Sequence, residues 1–170
     1  WVWVGVGFVA STHTAIKGTT SFAPLLYPVP ASLAMFVPLL RALGVAESFG
    51  WPHFGAALSA VAARTRVIGA LDAADVAFVL RLIEAALEAI RTASASAAAA
   101  ANAASGGDDG NESASANAAA AAMAAATAVR SLLVPGADGR LYPPSDLVYD
   151  DAPWLRQKMG SGVRFAHSSV

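Results

Sequence analysis

Val76, Val79, Leu80, Ile83, Leu87 and Ile90 recur in short helical steps, and no other stretch of this 170-residue chain limits its fold so tightly. Such steps gather apolar side chains on one side of an α-helix, because about 3.6 residues complete a turn. Phe78 and Leu82 widen the stripe, and Asp72 stands where an N-cap belongs. Arg81, Glu84, Glu88 and Arg91 line the opposite side at spacings that pair charges in water, each pair contributing about 0.2–0.5 kcal/mol. That side is a solvated face, not a carboxylate site. A helix is therefore predicted from Asp72 to about Thr92, and its stripe demands partners to bury it.

Two shorter helices are predicted before it. One starts with Ser32 as N-cap and ends at Gly44, with Leu33, Phe36, Val37, Leu40 and Leu43 at helical spacing. Pro38 removes a bond to Ala34 and kinks this helix, unless the helix starts at Val37. The next runs from Pro52, well suited to a first turn, to about Arg66, with Phe54, Leu58, Val61 and Thr65 on one face. At the amino end, Trp1-Val-Trp-Val4 and Phe8-Val9 flank Gly5-Val-Gly7, which reads as a short hairpin. The three prolines of Phe22-Ala-Pro-Leu-Leu-Tyr-Pro-Val-Pro30 forbid helix and favour an extended path.

From Ala93 to Asn117 the chain turns Ala/Ser/Asn/Gly-rich, centred on Gly106-Gly-Asp-Asp-Gly-Asn-Glu112. It has too little apolar area to offset its ordering entropy, so a disordered insertion with transient helix is expected. Ala118 to Val129 is a strong helix former leading into a strand at Arg130-Ser-Leu-Leu-Val134. The expected fold is helix-dominated α+β: a bundle-like helical core, short β-hairpins near both ends, and the low-complexity insertion. Its parts are residues 1–92, the insertion 93–117, and residues 118–170.

Alanine also explains the hydrophobic fraction of 56% and the mean hydropathy of +0.52. A spanning helix needs about 20 strongly apolar residues, and Leu25 to Leu43 is interrupted by Pro28, Pro30, Pro38 and Arg41. The chain reads as soluble. A net charge of -1 offers no basic patch for nucleic acid or anionic membrane. The absence of cysteine excludes disulfides and thiolate metal sites, and fits a reducing compartment. Trp1 stands where an initiator methionine would, and Arg164-Phe-Ala-His167 opens a further motif just before Val170. The sequence thus reads as a fragment of a longer protein.

The carboxyl-terminal third carries the most distinctive pattern. Leu132-Leu-Val-Pro-Gly-Ala-Asp-Gly-Arg-Leu-Tyr-Pro-Pro-Ser145 reads as strand, tight turn and strand, with Gly136-Ala-Asp-Gly139 as the turn. Asp146-Leu-Val-Tyr-Asp-Asp-Ala-Pro-Trp-Leu155 follows, with Leu147 and Tyr149 alternating as in a strand and an acidic-aromatic corner behind them. This block resembles the repeat segments of sacsin-like chaperones of the plant and algal type. The resemblance extends in order through Trp1-Val-Trp-Val-Gly, Phe22-Ala-Pro-Leu-Leu-Tyr, and Ser32-Leu33 to Ser48-Phe49, and closes at Asp-Ala-Pro-Trp-Leu155. Ala93 to Asn117 and Pro38 depart from it.

The resemblance implies a large cytoplasmic protein of repeated modules, each pairing an ATPase-like domain with a helical region like this one. It implies a role in protein folding and quality control, with neighbouring ATPase-like domains, unfolded clients and the seventy-kilodalton heat-shock chaperone system as partners. On that footing the chain is a non-catalytic part of the chaperone, acting through module architecture or client contact, with no cofactor of its own and ATP in neighbouring domains. Two alternatives stand beside it: a fragment of an ATP-dependent enzyme module whose nucleotide site lies elsewhere, and a purely structural scaffold segment. The candidate contact residues are Trp1, Trp3, Asp150, Asp151, Pro153 and Trp154. Trp154 reads most simply as a core anchor, and one carboxylate of Asp150-Asp151 as a cap on the turn at Ala152-Pro153.

Catalytic signatures fail on spacing. Glu112 and Asn117 do not make the Glu…Asn helix pair of that nucleotide fold, and Asp138-Gly139 runs into Arg140-Leu141 rather than a second glycine. Gly5-x-Gly7-x-x-Ala10 matches a dinucleotide fingerprint in form only, since Phe8-Val9 continues as strand and the next acid is Glu47. His13, His53 and His167 lie far apart without carboxylates at ligand spacing, and read as surface or locally bonded. Ser168 beside His167 lacks both a strained turn and a partner acid. Asn111-Glu-Ser113 is a glycosylation sequon in form, with no secretory signal to support its use.

Overall fold

The central helix forms where its stripe predicts. The computed structural model describes residues 1–18, 20–104, 111–149, 154, 158–160 and 162–169, with side chains described outside 101–104, 111–118 and 121. In chain order the regular elements are β1 (Val2–Trp3), β2 (Phe8–Val9), β3 (Thr14–Ala15), β4 (Tyr27–Pro28), α1 (Val37–Ala42) and α2 (Trp51–Ile68). After them come α3 (Ala73–Ala104), α4 (Asn111–Ser131), β5 (Val134–Pro135) and β6 (Leu141–Tyr142). Helix dominates, and two-stranded pairs lie near both ends, as the sequence predicts.

α3 is the middle of the core, packed on one side by α2 and on the other by α4. Its N-terminus is capped as expected: the Asp75 N–H donates to Asp72 Oδ1 at 2.8 Å. Val76, Val79, Leu82, Ala86 and Ile90 are buried, while Leu80, Ile83 and Leu87 are half-buried. The stripe is as wide as predicted, but its centre falls on Leu82 and Ala86 because two helices, not one, cover it. Against it lie Phe54, Ala57 and Leu58 of α2 and Ala128 of α4, with Leu132 just beyond. Arg81, Glu84, Glu88 and Arg91 are exposed, and Arg91 pairs with Glu88 at 3.3 Å.

α2 begins behind Gly50, with Pro52 in its first turn where no N–H is missed. His53 Nδ1 accepts the Gly50 N–H at 3.1 Å, satisfying one donor left over at the helix start. The helix closes at Gly69, whose φ of 107° is open to glycine and whose N–H reaches the Thr65 carbonyl.

The first predicted helix is shorter than expected. Ser32 is not its N-cap; Ala31–Phe36 is a 3-10 turn, and the α-helix starts at Val37 with Pro38 in the first turn. Proline's missing donor is harmless there and disruptive one turn later, which sets the boundary. Gly44 ends α1 at φ 78°: its N–H bonds the Arg41 carbonyl and the next N–H, of Val45, bonds the Leu40 carbonyl. This is a Schellman closure, and its apolar contact joins Val45 to Leu40 in a second, smaller core cluster with Val2.

The Ala-rich stretch is described in part, and as helix. α3 continues to Ala104 and α4 starts at Asn111, so 93–104 and 111–117 are helical; residues 105–110 lie outside the described residues. Alanine is the strongest helix former, and each run extends a helix already nucleated by a packed segment, which removes the nucleation cost. The same propensity carries α4 through Arg130 and Ser131, so the strand predicted there shrinks to Val134–Pro135.

Both predicted hairpins form. β1 pairs antiparallel with β2, Val2 opposite Val9 and Trp3 opposite Phe8, with Gly5 at positive φ in the turn. β5 pairs with β6 around Gly136–Gly139. The proline run is extended only from Tyr27; Phe22 to Leu26 reverses direction, and β4 then joins β3 in parallel. Leu147–Tyr149 is not a full strand: Val148 makes a single bridge to Phe165, while Ala166 bridges Gly136. Residues 164–167 thus lie between the β5–β6 hairpin and Val148, with Ala137 N–H bonded to the Phe165 carbonyl and His167 N–H to the Pro135 carbonyl. Among the described residues, no helix is long and apolar enough to cross a membrane.

Candidate interaction surface

A two-residue strand can bury only one of its faces, and the amino-terminal hairpin buries Val2. That residue sits on Leu40 and Val45, with Ile16, Val29 and Leu33 around it. The alternation of a strand sends its neighbours the other way. Trp1 is 82% exposed, Trp3 45%, and Phe8 69%, and Val6 stands exposed in the turn. Trp3 and Phe8 meet edge to face with ring centroids 5.3 Å apart, the usual geometry of a cross-strand aromatic pair.

α1 adds to the same amino-terminal region. It spends only Leu40 on the core and leaves Leu39 exposed, as its C-cap leaves Leu43 and the preceding 3-10 turn leaves Met35 and Phe36. The expected burial of Phe36 and Leu43 fails because six residues of helix, entered from a 3-10 turn, present a single side to the small cluster. Between hairpin and helix runs a groove of about 640 Å³ walled by Val4, Ile16, Tyr27, Val29 and Val37. Clustered exposed apolar side chains of this kind mark interaction surfaces.

A charged triad holds the loops of this region together. Glu47 accepts from Lys17 Nζ at 2.9 Å and from Arg41 Nη2 at 3.0 Å and Nε at 3.1 Å. The Lys17 hydrogen bond, then that of Arg41, holds the Glu47 carboxyl below its ordinary pKa. Backbone bonds run alongside, from Lys17 N–H to the Glu47 carbonyl and from Ile16 N–H to the Ala46 carbonyl.

Of the residues singled out in the sequence, the structure brings Trp1 and Trp3 together on the hairpin. Asp150, Asp151 and Pro153 lie outside the described residues. Trp154 is 60% exposed rather than a buried anchor, with the Lys158 ammonium 5.7 Å from its ring centre. Among the described residues no ring contact joins it to Trp1 or Trp3. Phe8, Val6 and the exposed residues of α1 were not singled out. The signal for Phe8 was present, since it faces Trp3 in any hairpin turning at Gly5–Gly7.

At the other hairpin, Asp138 works as its sequence position implies. Its Oδ1 accepts the Arg140 N–H at 3.1 Å, and its Oδ2 accepts the Tyr142 hydroxyl at 2.6 Å. That hydroxyl bond, and then burial, raise the Tyr142 pKa. Arg164 lies 4.8 Å over the Tyr142 ring. The histidines are local: His53 takes the Gly50 N–H, His167 Nδ1 takes the Ser169 N–H, and His13 is exposed in a 3-10 turn. Among the described residues no three His, Asp or Glu side chains cluster as metal ligands would. No protein-family model, curated protein or solved structure matches the chain. The resemblance to sacsin-like repeats rests on the ordered residues themselves.

Proposed function

We propose that this chain is a non-catalytic, helix-rich part of a sacsin-like molecular chaperone, serving protein folding and quality control through apolar contact. The observation that carries this reading is the hairpin that leaves Trp1, Trp3, Val6 and Phe8 in solvent, across a groove from α1 with its exposed Leu39. Aromatic side chains bring large contact area at low rotamer cost, and a surface of them suits unfolded segments of varied sequence. In this reading the work of ATP belongs to neighbouring ATPase-like domains, and the partners are unfolded clients and the seventy-kilodalton heat-shock chaperone system in the cytoplasm. The ordered sequence match from Trp1 to Leu155 supports the family, and the exposed hairpin supports the mode of action.

The test is suppression of aggregation of a thermally unfolding client by the 170-residue chain without ATP. Wild type is expected to suppress it. A Trp1→Ser, Trp3→Ser, Phe8→Ser variant is expected to lose the effect while keeping its melting temperature. A well-folded wild-type chain that leaves aggregation unchanged refutes client contact and reduces the chain to a spacer.

A further inference from the structure

The turn from α2 to α3 and the Phe22–Leu26 reversal enclose a cleft of about 300 Å³. That volume lies at the lower end of small-ligand sites, about 300–1,000 Å³. Its walls are apolar: Pro24, Leu25, Val61, Leu71 and Phe78. Thr65 also lines it, but its hydroxyl is spent on the Ala62 carbonyl at 2.8 Å.

Two side chains of opposite charge complete the lining. The exposed Arg64 comes from α2 at the cleft's rim, and the half-buried Asp75 comes from the first turn of α3. They do not pair with each other, and among the described residues neither side chain makes an ion pair. The end of α2 adds further negative character. Gly69 N–H takes the Thr65 carbonyl, and the carbonyls of the last turn beyond it have no partner within the helix. Such a helix end carries roughly half a negative charge and favours cations. The cleft therefore offers an anion-binding guanidinium, a cation-binding carboxylate with helix carbonyls behind it, and apolar walls.

We propose that this cleft binds a small zwitterion with a bulky apolar side chain, of the class of free phenylalanine or leucine. The side chain fills the apolar walls, the carboxylate meets the planar donors of Arg64, and the ammonium lies between Asp75 and the carbonyl end of α2. A ligand bearing one charge satisfies half of this lining and strands the other half.

Isothermal titration of the 170-residue chain with L-phenylalanine, N-acetyl-phenylalanine and phenethylamine tests the assignment. Phenylalanine is expected to bind at one site, and each singly charged analogue at least about tenfold more weakly. Arg64→Gln and Asp75→Asn are each expected to weaken phenylalanine by a similar factor. Arg64 is exposed and Asp75 half-buried, so both variants should stay folded, Asp75→Asn with a slightly lower melting temperature for the charge lost from the first turn of α3. Absence of binding heat with phenylalanine overturns the proposal. So does equal binding of the three ligands, which reduces the cleft to an apolar pocket. Tighter binding of an extended apolar peptide than of free phenylalanine reassigns the site to polypeptide and overturns it as well.

Discussion

Gly139 holds φ at 72° while its α-carbon faces the α2–α3 turn, and its carbonyl accepts the Leu71 N–H at 2.8 Å. A methyl group there would come within 2.9 Å of Ala70 Cβ and 3.1 Å of Leu71 backbone atoms. Gly44 has a similar φ of 78° with open space around it. Gly139→Ala is therefore expected to cost about 2–4 kcal/mol, combining left-handed strain with overpacking, and Gly44→Ala only about 1–2 kcal/mol. Urea unfolding of the two variants measures the difference; equal losses would show that the hairpin docks loosely. Turn glycines such as these are legible in sequence, but the docking of one turn on another is not, because the two lie far apart in the chain. Glu47 gives a second residue-scale test. Its pKa is lowered, so its pairing contributes stability above the unfolded-state pKa and withdraws as pH falls through the lower folded value. A carboxyl NMR titration should place Glu47 below an ordinary glutamate. Lys17→Met should move it back up, and an unmoved midpoint would remove Lys17 as the cause.

α3 and the hairpins were readable because each obeys one local rule: helical spacing behind an aspartate cap, or a glycine turn between apolar strands. What escaped was decided elsewhere in the molecule. The centre of the α3 stripe depends on α2 and α4 both packing against it, and nothing between Asp72 and Thr92 encodes those neighbours. The parallel pairing of β3 with β4 and the insertion of residues 164–167 beside Pro135 and Val148 are likewise long-range. The Ala-rich run is a different case: where it is described as helix, its helicity comes from propensity and from extending a packed helix. Ser94 and Ala97 are half-buried and the residues between them exposed, with the Ser94 hydroxyl bonded back to the Ile90 carbonyl. Hydrogen exchange along α3 should accordingly show a gradient. Amides from Val79 to Ile90 should exchange near the global unfolding limit, and those from Ala95 to Ala100 orders of magnitude faster through local fraying. Uniform protection along α3 would mean that the tail is held by contacts stronger than its exposure implies.

Two apolar clusters of unequal size stabilise the molecule. The larger joins α2, α3, α4, Leu132 and Leu141 with Phe22 and Leu26; the smaller joins Val2, Leu40 and Val45 beneath the exposed hairpin. Two segments run from one to the other: Ile16 and Val29 line the small cluster while Phe22 and Leu26 belong to the large one, and Val45 belongs to the small cluster while Phe49 packs on the large one. This division fits the surface proposed for contact, because a hairpin resting on a small cluster adjusts its aromatic face without disturbing the helical core. The same deletion made in each cluster tests it. Leu58, fully buried in the large cluster, cannot be compensated by collapse, so Leu58→Ala should cost about 3–5 kcal/mol. Leu40 is nearly as buried, but its surroundings relax into solvent, so Leu40→Ala should fall near about 2 kcal/mol. Exchange patterns should separate the two further. Leu58→Ala should lower protection across α2, α3 and α4 together, whereas Leu40→Ala should expose amides of β1, β3 and α1 and leave Val79 to Ile90 protected. Equal cost with a single global loss in both variants would mean one cooperative unit, and the aromatic hairpin would then move only when the whole fold does.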